Sequence, residues 1–129
     1  MTDFVDKKYV KKNSIEKRDY QINLANQAIE ENCIVVLPTG LGKTAVALHV
    51  ISEYLSKGTG GILFLAPTRV LVHQHYDFLK NNLTLDDISL VTGEDPIPKR
   101  TKLWSNSIVC ATPEIARNDL IRGIVTPEQ

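Results

Sequence analysis

Eight residues, Leu37-Pro38-Thr39-Gly40-Leu41-Gly42-Lys43-Thr44, constrain this chain more than any others. They end a run, Cys33-Ile34-Val35-Val36-Leu37, that is short, continuous and rich in β-branched side chains, and so reads as a buried strand. They open onto Lys43 to Lys57, where Ala47, Leu48, Ile51 and Leu55 recur at helical spacing and Gly58 supplies a stop. Strand, glycine-bearing turn and helix in that order bring backbone N–H groups and the positive end of a helix dipole to one point. Gly40 and Gly42 permit the tight turn and let an anion approach the backbone closely. Lys43 adds a mobile full charge toward the outer phosphates, and the Thr44 hydroxyl is placed to ligate Mg²⁺. The strict pattern GxxxxGK[ST] fails at its first glycine, where Leu37 stands. A glycine-rich turn with no ligand leaves the adjacent Lys-Thr pair unexplained, so a nucleoside triphosphate is the expected occupant.

The remaining apolar runs alternate in the same way. Gly61 to Ala66, Ile88 to Val91 and Ser107 to Ala111 read as three more strands, ended by Pro67, Thr92-Gly93 and Thr112. Arg18 to Glu30, Val70 to Asn82 and Pro98 to Trp104 read as helices, and Thr112 as an N-cap with Pro113 opening a last helix that Gly123 ends. Strands alternating with helices imply βαβ crossovers, hence an α/β fold: a parallel sheet with flanking helices. With 129 residues, 43% of them hydrophobic and 23% charged, the expectation is one soluble globular domain.

Charge excludes little. Fifteen basic and fifteen acidic side chains cancel, yet a local patch still suffices to hold phosphates. Between Lys7 and Arg18 there are six basic residues against one acid, so residues 1–17 are expected to form a basic, solvated arm. Cys33 and Cys110 each sit in an apolar run without a CxxC spacing, the pattern of buried thiols in a reducing compartment. His73 and His75 form an HxH pair, but on a helix they face different directions and no further ligand accompanies them. No run approaches the ~20 apolar residues that span a bilayer, and MTDFVDKK is not a secretory leader. An intracellular location is expected, nuclear in a eukaryote, with no membrane partner.

The motifs together resemble the superfamily 2 helicases. Pro38-Thr39-Gly40-Leu41-Gly42-Lys43-Thr44 matches that family's phosphate loop, which commonly lacks the first glycine. Ala66-Pro67-Thr68-Arg69, Thr92-Gly93-Glu94 and Ala111-Thr112-Pro113-Glu114, each after a predicted strand, resemble its motifs Ia, Ib and the element that follows. The resemblance implies a partial RecA-like P-loop domain over residues 18–129. It also implies that Pro67, Thr68, Arg69, Thr92, Gly93, Thr112 and Pro113 hold the backbone of one nucleic-acid strand. Hydroxyls, N–H groups and helix N-termini suit that task because they bind phosphates without reading bases. Arg18-Asp19-Tyr20-Gln21 resembles the family's adenine-recognition element; Gln21 can offer the adenine edge one donor and one acceptor, which favours ATP. Arg18, Tyr20, Trp104, Ile108-Val109, Asn118-Asp119-Leu120 and Gly123 extend the likeness to the branch formed by archaeal Hef and the Fanconi anaemia M protein. That branch acts on forked and branched DNA in repair.

One departure matters. The family's Asp-Glu-x-His strand and second motor domain are not among these residues, and Asp86-Asp87 and Glu94-Asp95 fit the role neither by position nor by neighbours. The chain is therefore expected to be the ATP-binding first part of a longer motor, inactive as a hydrolase by itself, and prone to self-association through an uncovered sheet. Three other readings compete. An RNA-directed relative uses the same backbone contacts. A small-molecule P-loop kinase would not need the Thr68-Arg69 and Thr112-Pro113 loops. A non-catalytic nucleotide-binding module needs only the phosphate loop. All of these readings keep the phosphate loop and share one expectation: calorimetry with ADP and Mg²⁺ gives binding that Lys43→Ala removes, and binding unchanged by that substitution defeats the assignment.

Overall fold

The computed structural model describes residues 4–30, 43–58 and 60–126. The strand expected over 33–37 and the loop residues Leu37 to Gly42 lie outside the described residues, and Lys43 enters only as the first residue of a helix. The chain divides into two compact units, one of residues 1–59 with 82–84 and one of residues 60–81 with 85–129.

The first unit contains α1 (Asp19–Glu30) and α2 (Lys43–Lys57), which pack on each other. Asp19 places a carboxylate in the first turn of α1, where the helix dipole favours it, and Gln21 and Ala25 form its buried side. Lys57 sits in the last turn of α2, and Gly58, at φ 69°, ends the helix in a left-handed conformation that costs glycine nothing. The segment before α1 is folded. Its chain pairs antiparallel at Phe4 and Glu16 and at Val10 and Leu83, and Ser52 of α2 donates to the Lys8 carbonyl at 2.6 Å. Val5, Val10 and Ile15 are buried, while Lys8, Lys11, Lys12 and Lys17 are exposed. These lysines stay at the surface, on a backbone that packs through three widely spaced apolar residues.

The second unit holds a three-stranded parallel sheet: β1 (Ile62–Leu65), β2 (Ile88–Leu90) and β3 (Ile108–Ala111), in the order β1-β3-β2. Ile108 stands level with Ile62 on one side and Ile88 on the other, and every residue of β3 is buried. Parallel strands cannot be joined by tight turns. The connections accordingly run through α3 (Arg69–Asn82), α4 (Ile97–Trp104) and, after β3, α5 (Pro113–Ile121). Val91, Trp104, Val109, Ala111, Ala116 and Val125 form the core on one face of the sheet. Among the described residues the expected elements are present with ends displaced by a residue or two, the usual scatter of helix and strand termini.

One buried group opposes the fold. His49 of α2 is completely buried, and neither ring nitrogen has a hydrogen-bond partner. Burial, helped by the charge of Lys7, lowers its pKa from 6.5 to about 4. The folded chain therefore holds the imidazole neutral, and stability present above pH 6.5 is lost as pH falls toward about 4. The loss amounts to something on the order of 3 kcal/mol. Urea midpoints measured across that range fall for the parent chain and flatten for His49→Leu.

Candidate nucleic-acid interface

Because the three strands are parallel, their C-terminal ends lie on one edge of the sheet, and each ends in a short turn. After β1, Thr68 caps α3: its Oγ1 accepts from the Leu71 N–H at 3.2 Å and its carbonyl from Val72 at 2.9 Å. After β3, Thr112 has extended backbone (φ −79°, ψ 155°) and caps α5, accepting at Oγ1 from the Ile115 N–H at 3.4 Å. Pro113 follows at the first helical position, where its missing N–H costs nothing. In both caps the hydroxyl oxygen accepts from the helix and keeps its own hydrogen for an outside acceptor.

The turn after β2 is closed differently. Asp95 Oδ2 accepts from the Thr92 N–H at 3.0 Å and from the Thr92 hydroxyl at 3.2 Å, and the Asp95 N–H returns to the Thr92 carbonyl at 3.2 Å. Burial by itself raises the Asp95 carboxyl, but the Thr92 N–H and the Lys99 ammonium, 3.2 Å away, outweigh it and hold the group below the ordinary carboxylate range. Thr92 is thus a former of the turn with both donors engaged. The remaining backbone N–H groups of the turn are those of Gly93 and Glu94.

These turns border one groove of about 1130 Å³. Six of the seven residues expected to hold a nucleic-acid backbone line it: Pro67, Arg69, Thr92, Gly93, Thr112 and Pro113. Thr68 does not line it and acts as the cap behind Arg69. Arg69 occupies the first turn of α3, where a cation opposes the helix dipole, so helix stability does not account for it. Its Nη2 pairs across the groove with Glu94 Oε1 at 3.2 Å, both side chains being largely exposed. Gly93 is not demanded by the fold: a Cβ there would meet Ile115 Cδ1 at 3.5 Å, an ordinary contact.

Similarity to known proteins decides the family. Residues 18–126 match the DEAD/DEAH box helicase family. The chain belongs to that family. It is 39% identical, over 98% of its length, to a provisionally assigned ATP-dependent RNA helicase of Methanocaldococcus jannaschii. It is 37% identical, over 86% of its length, to the ATP-dependent DNA helicase Fancm of Drosophila melanogaster. The structure superposes on the Hef helicase domain of Pyrococcus furiosus with a TM-score of 0.79, at 38% identity over 85% of this chain. The chain spans 17% of the Methanocaldococcus protein, 8% of Fancm and 24% of the Hef domain structure. The RecA-like fold and the resemblance to the Hef branch both stand.

Among the other features of this DEAD/DEAH family chain, His73 also lines the groove. Gln21 is buried and engaged, while Arg18 is exposed and bonds Tyr20 and Glu16 at 3.2 and 3.4 Å. Thr44 is half-buried in the first turn of α2. In the HxH pair His73 bonds Asp77 at 3.1 Å, while the His75 ring packs tilted against Phe64 with centroids 5.1 Å apart. Asp87 accepts from the Ser107 N–H and hydroxyl at the opposite end of the strands, a structural tie. Cys110 is buried, and burial pushes its thiol up to about 12. No helix among the described residues is long and apolar enough to cross a membrane.

Sequence reasoning missed the support beneath the groove. Asp119 is fully buried, with Oδ1 accepting from Arg100 Nη1 and Oδ2 from Trp104 Nε1, each at 2.8 Å. Asp119 and Trp104 carried the family resemblance, but nothing in their spacing marks them as partners.

Proposed function

We propose that this chain is the ATP-binding, nucleic-acid-contacting part of a superfamily 2 DNA helicase or translocase that acts on forked or branched DNA in repair. The observation that carries the reading is the groove, where two capped helix N-termini and a hydrogen-bonded turn converge at the ends of three parallel strands. Such groups hold a phosphate backbone in register and do not read bases. DNA is favoured over RNA by the name of the Fancm relative, although the Methanocaldococcus protein is named for RNA. Full-length protein hydrolysing ATP faster on double-stranded RNA than on forked DNA would reverse that choice.

ATP and Mg²⁺ belong to the same proposal, with the phosphates on residues 37–44, the metal on Thr44 and the adenine near Arg18 and Gln21. Thr44 lies in a 15-residue helix whose first turn carries no acidic residue to oppose a triphosphate. ATP hydrolysis supplies the work in a motor of this kind, and the carboxylates that act on the attacking water are expected elsewhere in the longer protein.

Binding at the groove is weak by construction. Among the described residues its lining has one full cation, Arg69, against Glu94 and Glu114, so dipoles and hydroxyls replace net charge. Removing the one cation lowers both affinity and salt dependence. Fluorescence anisotropy with labelled oligothymidylate gives, for Arg69→Ala, a log–log salt slope shallower by about 0.7. An unchanged slope and affinity removes Arg69 from the interface. Self-association is also proposed, supported by the exposure of Leu63, Leu65, Leu120 and Ile121; light scattering that returns a monomer at high concentration ends that part.

A further inference from the structure

We infer that Arg100 and Asp119 are positioning residues for the nucleic-acid groove: their buried ion pair, through the Gly93 carbonyl, aims the Glu94 N–H of the turn after β2. The inference rests on reading the groove as the seat of a nucleic-acid backbone. From α4, the guanidinium of Arg100 reaches three acceptors. Nη1 donates to Asp119 at 2.8 Å, Nε to the Asp95 carbonyl at 2.9 Å and Nη2 to the Gly93 carbonyl at 3.4 Å. Asp119 is itself held from the other side by Trp104 Nε1 at 2.8 Å, and its backbone carbonyl accepts from Ile124 and Val125. The carboxylate is therefore a fixed anchor, and the planar guanidinium transmits its position to two carbonyls of one turn.

Stability alone does not explain this arrangement. A buried ion pair returns little net free energy beyond its own desolvation, and apolar side chains of similar size often hold a fold as well. Direction is what apolar side chains lack. No cis peptide occurs among the described residues, and in a trans peptide the C=O and the following N–H point opposite ways. With the Gly93 carbonyl drawn toward Arg100, the Glu94 N–H is turned away from it. Thr92 cannot substitute, since its N–H and hydroxyl are both given to Asp95. The orientation of the Glu94 N–H thus depends on Arg100, whereas the Gly93 N–H is set by the Thr92 carbonyl, which accepts from the Asp95 N–H.

The test uses the full chain and anisotropy with labelled oligothymidylate, with ADP binding and urea midpoints measured alongside. Arg100→Lys keeps a cation opposite Asp119 but loses the fork to the two carbonyls. The double variant Arg100→Met with Asp119→Leu replaces the pair by apolar side chains and guards against a failure of the lysine variant to fold. Each is expected to weaken oligothymidylate binding about two- to tenfold, the worth of one backbone hydrogen bond, while ADP binding is retained. Asp87→Ala is the control, because it removes a comparable structural tie at the opposite end of the strands. Its nucleic-acid affinity should match the parent's. If the two Arg100 variants bind like the parent while Arg69→Ala binds weakly, the positioning role is wrong and the groove stands. If Asp87→Ala weakens binding as much as they do, the effect is one of stability and the inference also fails. If Arg69→Ala too binds like the parent, the groove reading falls and takes this inference with it.

Discussion

The parallel pairing of β3 between β1 and β2 governs everything in the second unit. Once Ile108 is level with both Ile62 and Ile88, each chain connection must cross from one end of the sheet to the other. Every strand then delivers its following turn to the same edge. That edge receives the N-terminus of α3 from β1 and that of α5 from β3, and the Thr92–Asp95 turn from β2. No separate device is needed to assemble the groove, because the topology assembles it. What sequence adds is the chemistry of the turns: two threonine caps, a proline at the first position of α5 and an arginine in the first turn of α3.

The electrostatics of that edge separate binding from folding. Glu114 in the first turn of α5 suits the helix dipole and disfavours a phosphate, whereas Arg69 at the start of α3 does the reverse. A surface selected for helix stability alone would carry acids at both places. The Arg69–Glu94 contact further places an internal anion where a phosphate oxygen would sit, though an exposed pair of this kind is worth at most about 1 kcal/mol. On the proposed reading a phosphate would compete with it readily, and the groove would hold a strand loosely and release it.

Local signals were legible and remote ones were not. The helix over 43–57 and its glycine stop, and the cap and proline at Thr112-Pro113, are set by neighbours in sequence, and the structure keeps them. The location of Pro67, Arg69, Thr92, Gly93, Thr112 and Pro113 at one groove followed from strand alternation, since topology alone decides it. The tie of Thr92 to Asp95, three residues on, escapes the sequence because Glu94-Asp95 reads there as a spare acidic pair. The tie of Arg100 to Asp119, nineteen residues apart, has no local signature at all. The folded segment before α1 was hidden for a related reason: its apolar residues Val5, Val10 and Ile15 are too widely spaced to register beside the lysines. The phosphate loop, which the sequence marks most strongly, lies outside the described residues.

Two buried polar side chains show how differently such groups are used. His49 leaves both nitrogens unpaired, and the chain tolerates it because a neutral imidazole loses only hydrogen bonds on burial. Asp119 faces a far larger desolvation cost, and both of its oxygens are paired at 2.8 Å. A carboxylate retained there needs a reason that neutrality would not satisfy. A neutral or apolar residue fills volume but does not fix the plane of a guanidinium. Because Arg100 joins Asp119 to the carbonyls of Gly93 and Asp95, the charge of Asp119 sets the angle of a backbone turn facing the groove. The cost of burying that charge is understandable if it serves orientation, and the groove is where orientation matters.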